Sequence, residues 1–312
     1  MRIPGATVML TRTVSDRRFL LRPSKVVNKV FGYCLFAAAQ KYGVLVHAVA
    51  VLSTHVHLIV TADDEQLSDF NAWLNRAVAN CLLEHYRAQY PEVTIETLWS
   101  ASKPHELTLV NKAAILNKMQ YLFSNVVKDL LVHDYRKWPG LCSRPRDMLG
   151  GNKAYARPDV YFSESGRVPD SVSGTFTLPP AFDDEDAEDV VRTVETLVHQ
   201  EQERLRKVNH GKKYLGAKAA LRVHPFDSPK NQRPRRKLTP IIAAGGDARA
   251  LMEAKKAVIG FRRAYRAAWL LFKKLGSAAL PAGTLKMHHG YQQEREDDCG
   301  CFDWCVRMRA PA

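Results

Sequence analysis

Two neighbouring stretches of apolar, largely β-branched residues constrain most strongly how this chain can fold. Residues 44–52 read VLVHAVAVL, and residues 55–61 read HVHLIVT after the short break at Ser53 and Thr54. Runs of this kind are typical of buried strands, and a short break between two of them indicates a hairpin. The sequence therefore predicts a sheet with this hairpin near its centre.

Helices and further strands are predicted on either side of the hairpin. Strands are predicted over 6–14 and 106–110, and helices over 24–42, 67–87 and from 111 to about 132. Ser24 and Asn111 are suitable N-caps for two of these helices, and Gly43 follows the end of the first. The order β-α-β-β-α-β-α predicts an α+β fold, a ferredoxin-like antiparallel sheet with helices on one face.

Charge distinguishes the rest of the chain from this first part. The 312 residues carry a formal net charge of +14, which favours a polyanionic partner such as nucleic acid. Residues 181–203 hold nine acids and one arginine, whereas residues 204–274 hold twenty lysines and arginines and three acids. We predict a first domain over 1–150, a linker rich in turn-forming residues over 151–180, and a mainly helical, acidic-then-basic region over 181–312 that contacts DNA.

Several classes of protein are disfavoured by composition. The chain contains no run of about 18 uncharged apolar residues, so no membrane-spanning helix is predicted. It begins without the apolar run of a signal peptide, and its six cysteines are scattered rather than arranged as a disulfide framework. These features predict a cytoplasmic protein with no membrane partner. Cys299, Cys301 and Cys305 could hold Zn²⁺, but their spacing is not a standard one and free thiols are preferred.

His55 and His57 form the first candidate site. Residues i and i+2 of a strand project to the same face, so both imidazoles lie on one side, and Val56, Leu58 and Val60 lie on the other. Two imidazoles at one place begin a metal site without completing it. The alternative is two partly exposed strand histidines with ordinary hydrogen bonds, and the pair alone does not decide between them.

The helix predicted from residue 111 carries the second candidate site. Tyr121, Asn125 and Lys128 are spaced by four and three residues on its polar side, opposite an apolar stripe. A phenol, an amide oxygen and an ammonium in one row could serve as nucleophile, metal ligand and phosphate contact. The alternative is an amphipathic helix with a solvated polar face.

Together, the two patterns resemble the single-tyrosine HUH transposases, most closely the REP-associated tyrosine transposases. The resemblance rests on VHAVAVLSTHVHLIV over 46–60 and on YLFSNVVKDLLV over 121–132, and it covers about residues 5–150. The chain departs from the family pattern at Val126, where the family has Pro, and at Asp129 and Leu130, where it has Ala-Gly. Thr54 stands where an Asn is common.

The resemblance implies a chemistry and a set of site residues. His55, His57 and Asn125 would ligate Mg²⁺ or Mn²⁺, and Tyr121 would be the nucleophile. The implied activity is cleavage and joining of single-stranded DNA at hairpin-associated sites through a covalent 5′-phosphotyrosine, by a monomer or a homodimer. The predicted DNA contacts are basic side chains, namely Arg12, Lys128, Arg233, Arg235, Arg236 and Lys237.

Two other functions remain as alternatives. The first is a domesticated relative that binds DNA hairpins and cuts them weakly, which sequence does not separate from an active enzyme. The second is a non-enzymatic, basic DNA- or RNA-binding protein on the same kind of sheet. This is disfavoured because residues 44–61 contain none of the aromatic side chains on which such sheets stack bases.

Overall fold

The computed structural model describes residues 5–62, 64–162, 168–230 and 241–281. In chain order, its elements are β1 (Thr7–Thr13), α1 (Lys25–Tyr42), β2 (Leu45–Val51), β3 (His55–Thr61), α2 (Asp64–Gln89), β4 (His105–Leu109), α3 (Lys112–Lys128), β5 (Leu149–Ala156), β6 (Ser171–Thr177), α4 (Ala187–Val208), α5 (Ala217–Ala220), β7 (Ile242–Ala243) and α6 (Ala248–Leu275). The elements predicted for the first part are present, with ends that differ by a few residues.

The hairpin of β2 and β3 belongs to a five-stranded sheet. Its strand order is β2-β3-β1-β4-β7, in which the first four strands are antiparallel and β7 adds two residues parallel to β4. The order of the first four strands is that of a ferredoxin-like sheet, so the predicted α+β class is confirmed. The register places Thr11 of β1 opposite His57 of β3, and Thr13 opposite His55.

Both faces of this sheet are buried. Met9 and Ile59 are buried on the face that carries His55 and His57, and Val56 is buried on the other face. Helix α3 covers the histidine face, where Tyr121 lies against His57. Apolar residues on both faces of the sheet are thus kept from water.

Helix α3 is capped by hydrogen bonds at both ends. The side chain of Asn111 accepts a hydrogen bond from the amide of Ala114 at 2.9 Å, as predicted for an N-cap. The helix ends at Lys128, earlier than expected, because Leu130 adopts a left-handed conformation with φ of 59°. The amide of Leu131 then bonds to the carbonyl of Val126, and that of Leu130 to Val127, as in a Schellman motif.

Residues 151–180, predicted to be a linker, instead contain most of a packed hairpin. Strands β5 and β6 pair antiparallel, and Tyr155 and Phe176 pack on Phe36 of α1 with ring centroids 5.5 and 5.2 Å from it. Gly, Pro, Ser and Asp delimit short strands as readily as they form linkers, so their frequency here did not reveal the hairpin. The division of the chain into domains remains a prediction.

The region beyond residue 180 is mainly helical in its described part, as predicted. Helix α4 packs its buried valines against α3, namely Val190, Val191, Val194 and Val198. Helix α6 extends over 28 residues and buries only Ala254 and Ala268 completely. Within the described ranges, no helix has the length and apolar character needed to cross a membrane.

Candidate active site on strand β3 and helix α3

Strand β3 and helix α3 bring the four predicted site residues together. The ring centroids of His55 and His57 are 4.7 Å apart, and the ring centroid of Tyr121 is 5.4 Å from that of His57. The side-chain nitrogen of Asn125 lies 3.1 Å from Nε2 of His55. We call His55, His57, Tyr121 and Asn125 the candidate active site.

Two threonine hydroxyls form hydrogen bonds with the Nδ1 atoms of the two imidazoles. Oγ1 of Thr11 is 2.9 Å from Nδ1 of His57, and Oγ1 of Thr54 is 2.9 Å from Nδ1 of His55. Hydrogen bonds of this kind at one ring nitrogen fix the tautomer and the orientation of a histidine and leave the other nitrogen to act as a ligand. Thr54 thus provides a polar partner at a position where the family pattern has Asn.

The Nε2 atoms of the two histidines and the side-chain amide of Asn125 form a set of donor atoms that suits a divalent metal. Nε2 of His57 is buried and has no hydrogen-bond partner among the described residues, so it is available to a bound ion. The buried amide of Asn125 offers one oxygen, which rotation about its terminal bond turns toward His55. Two imidazoles with an amide oxygen fit Mn²⁺ or Mg²⁺ with further positions left for water and phosphate.

No richer metal site competes with this one in the described residues. Groups of three or more His, Cys, Asp and Glu side chains with metal-site geometry are absent from 5–62, 64–162, 168–230 and 241–281. Within the described residues, the predicted third ligand of the candidate site is therefore the amide of Asn125, not a carboxylate or a thiolate.

Both histidines are kept neutral by their surroundings. Burial lowers the pKa of His55, and the positive charges of Arg17 and Lys128 add to this effect against the opposing charge of Asp129. Burial also lowers the pKa of His57, well below its ordinary value, with further contributions from His55, Lys128 and Lys118. Neutral imidazole is the form that binds metals, so both histidines are in the form that a metal site would require.

Two lysines lie beside the ring of Tyr121. The ammonium nitrogen of Lys128 is 4.7 Å from the ring centroid, as its place in the polar row predicts, and that of Lys118 is 5.6 Å away. Sequence reasoning did not single out Lys118. The signal was present, since Lys118 precedes Tyr121 by three residues and so lies on the same side of the helix.

The structure does not bring Arg12 to this site. Arg12 follows Thr11 on β1, so its side chain lies on the opposite face of the sheet, beside Val56. Its guanidinium carbon is 5.6 Å from the ring centroid of Trp99, and the group donates a hydrogen bond to the carbonyl of Ser102. These contacts occupy Arg12 within the protein, at a distance from Tyr121.

The remaining predicted DNA contacts, Arg233, Arg235, Arg236 and Lys237, lie outside the described residues, and so do Cys299, Cys301 and Cys305. The histidine hairpin and helix α3 are therefore the part of the prediction that the structure addresses.

Comparisons with known proteins find several similar solved structures, including the following two. No family model and no curated protein matches the chain. One similar structure is that of a REP-associated tyrosine transposase bound to a REP hairpin, with 18% identity, a TM-score of 0.37, and coverage of 48% of this chain and 82% of that one. The other is a candidate transposase from Deinococcus radiodurans, with 21% identity, a TM-score of 0.29, and coverage of 38% and 89% respectively.

Proposed function

We propose that this protein is a transposase-like, metal-dependent endonuclease and strand transferase that cuts and joins single-stranded DNA. The observation that carries the proposal is the meeting of two neutral imidazoles, a buried amide and a tyrosine at one place, with Nε2 of His57 lacking a partner. A metal ion bound at this place would give that nitrogen the partner that buried polar atoms ordinarily have.

In this proposal Tyr121 is the nucleophile. Its phenolic oxygen attacks a backbone phosphorus, a new P–O bond forms to the tyrosine, and the bond from phosphorus to the 3′ oxygen breaks. The phenolic proton leaves the tyrosine, and the departing 3′ oxygen takes up a proton from solvent. The products are a 5′-phosphotyrosine and a free 3′-hydroxyl, and attack by a 3′-hydroxyl on the same ester reverses the step. Joining therefore needs no nucleotide cofactor.

The surrounding residues orient and stabilise the reacting groups. His55, His57 and Asn125 would hold Mg²⁺ or Mn²⁺, which when bound neutralises phosphate charge and fixes its position relative to the attacking oxygen. A phenol has an ordinary pKa of about 10, so it must be helped to lose its proton at neutral pH. The ammonium of Lys128, 4.7 Å from the ring of Tyr121, favours the negative charge that develops there.

The substrate is proposed from charge and from the sequence resemblance. A net charge of +14 suits a polyanion. The resemblance to REP-associated tyrosine transposases supports single-stranded DNA with hairpins as the target, action in the cytoplasm on the nucleoid, and a monomer or homodimer as the acting species.

Hairpin binding without efficient cutting is a second candidate function. It is favoured by Leu130, which takes a left-handed conformation at a position where the family has glycine. A bulky residue with positive φ costs about 1–2 kcal/mol, and this strain lies at the end of the helix that positions Tyr121 and Lys128.

A denaturing gel with labelled single-stranded hairpin DNA and Mn²⁺ tests which function holds. The wild-type protein should give a band that survives boiling and that does not form when a chelator is present during the incubation. Tyr121→Phe and His57→Ala should lose the band, whereas Tyr135→Phe, which removes the hydroxyl of another partly buried tyrosine, should keep it. A band that persists in Tyr121→Phe would contradict the proposal, and wild-type binding without any band would favour the second candidate.

A further inference from the structure

Two ammonium groups flank the ring of Tyr121, and the structure shows no carboxylate paired with either of them in the part of the chain that it describes. Lys118 and Lys128 lie 5.6 and 4.7 Å from the ring centroid, and both side chains are partly buried. Neither ammonium forms an ion pair or a hydrogen bond with the residues that the structure describes. Like charges held together at a partly buried place destabilise a fold unless something of opposite sign binds between them.

Another lysine of the same helix shows the ordinary arrangement. The ammonium nitrogen of Lys112 lies 2.6 Å from a carboxylate oxygen of Asp184 and 2.6 Å from one of Glu185. Its charge is therefore balanced within the protein. The acidic segment before α4 reaches Lys112 but not Lys118, although the two lysines are less than two turns apart on α3.

Lys118 also lies toward a particular side of the candidate active site. Its charge lowers the pKa of His57 and is not among the charges that act on His55, whereas Lys128 acts on both. On the same face of the sheet, Thr11 of β1 pairs with His57 on one side and with His105 of β4 on the other. The charge of Lys118 therefore acts on His57, the histidine whose Nε2 has no partner among the described residues.

We propose that Lys118 is a phosphate-binding residue, and that Lys118 and Lys128 together form a two-ammonium cradle at Tyr121 for the phosphodiester backbone of single-stranded DNA. The proposal rests on the proposed function for the identity of its ligand. The cradle holds the strand where the phenolic oxygen can reach it. Because the ammoniums contact phosphates and not bases, it adds affinity without sequence preference.

The salt dependence of DNA binding tests this role directly. Each phosphate contact on a single strand contributes about −0.7 to the slope of log K against log salt concentration. The probe is a fluorescently labelled single-stranded hairpin oligonucleotide, and anisotropy is measured with a chelator present so that no strand is cut. Lys118→Met should make the slope less steep by about 0.7, and Lys118→Arg should retain the wild-type slope.

Lys112→Met is the matched control. It removes an ammonium from the same helix, but one that already has carboxylate partners, so the slope should stay at the wild-type value. Lys128→Met should reduce the slope as Lys118→Met does. An unchanged slope in Lys118→Met, or the same reduction in Lys112→Met, would overturn the cradle, as would failure of the wild-type protein to bind the oligonucleotide.

The test separates the cradle from the proposed chemistry. A changed slope in a protein that forms no covalent DNA adduct would establish Lys118 as a phosphate contact and refute the transesterification. If the wild-type protein forms the adduct but Lys118→Met leaves the slope unchanged, the transesterification would be supported and the phosphate contact by Lys118 would be refuted.

Discussion

Thr11 and His57 lie opposite each other in the register of β1 and β3, and the hydroxyl oxygen of Thr11 is 2.9 Å from Nδ1 of His57. This contact fixes the imidazole so that Nε2, the atom without a partner, is the one available to a metal. The candidate active site therefore depends on a strand that contributes no ligand of its own.

Thr11→Val should weaken metal binding while keeping the fold. Valine has the shape of threonine and suits a strand, but it leaves Nδ1 of His57 without its hydrogen bond. Loss of such an outer partner typically lowers metal affinity about 10- to 100-fold. Calorimetric titration with Mn²⁺ measures the change. Thr13→Val, on the same face of the same strand, is the control and should bind as the wild type does. Equal affinity in all three proteins would refute the assigned role of Thr11.

Acid should destabilise the fold through His47. This residue is fully buried, with Nδ1 donating to the carbonyl of Thr177 at 2.8 Å and Nε2 accepting from the hydroxyl of Thr61 at 2.8 Å. Burial lowers the pKa of His47 to about 4. Between about pH 6.5 and pH 4 the unfolded chain therefore binds a proton that the folded chain does not.

The stabilisation linked to His47 is complete above about pH 6.5 and is lost as the pH falls toward 4. Its full size is on the order of 3 kcal/mol. Urea unfolding at a series of pH values should show a smaller loss of stability in His47→Gln than in the wild type, because glutamine does not titrate. The comparison removes the contributions of His55 and His57, which both proteins share. Parallel curves for the two proteins would show that His47 does not titrate in this way.

Leu130→Gly should stabilise the end of α3. Leu130 has φ of 59° at the position of the Schellman motif that glycine usually occupies. Relief of the left-handed strain should raise the free energy of unfolding by about 1 kcal/mol, less what is lost in side-chain packing. Thermal unfolding measures the gain. Leu131→Gly, one residue later at negative φ, should instead destabilise, and a loss of the same size in both variants would contradict the account.

Local periodicity was sufficient to predict the main parts of the candidate site. The two-residue period of a strand places His55 and His57 on one face, and the helical period places Tyr121 and Asn125 in one row. The structure brings these two sets together. Their meeting was expected only from the family resemblance, because no local pattern specifies which face of a sheet a helix covers.

The missed features depend on contacts between distant parts of the chain. The role of Thr11 follows from the pairing of β1 with β3, and the remoteness of Arg12 follows from the same register. The hairpin of β5 and β6 depends on Phe36, which provides a surface for Tyr155 and Phe176. The position of Lys118 does not depend on distant contacts. The helical period alone predicts that Lys118 lies beside Tyr121, because the two residues are three apart.

Peptide mass spectrometry of the covalent adduct tests the central claim most directly. Wild-type protein incubated with Mn²⁺ and single-stranded hairpin DNA would be digested with nuclease and then with protease. The account predicts a nucleotide attached through a phosphodiester to the peptide that contains Tyr121, and none in the His57→Ala protein. A nucleotide attached to any other side chain, or an adduct that forms equally well in His57→Ala, would contradict it.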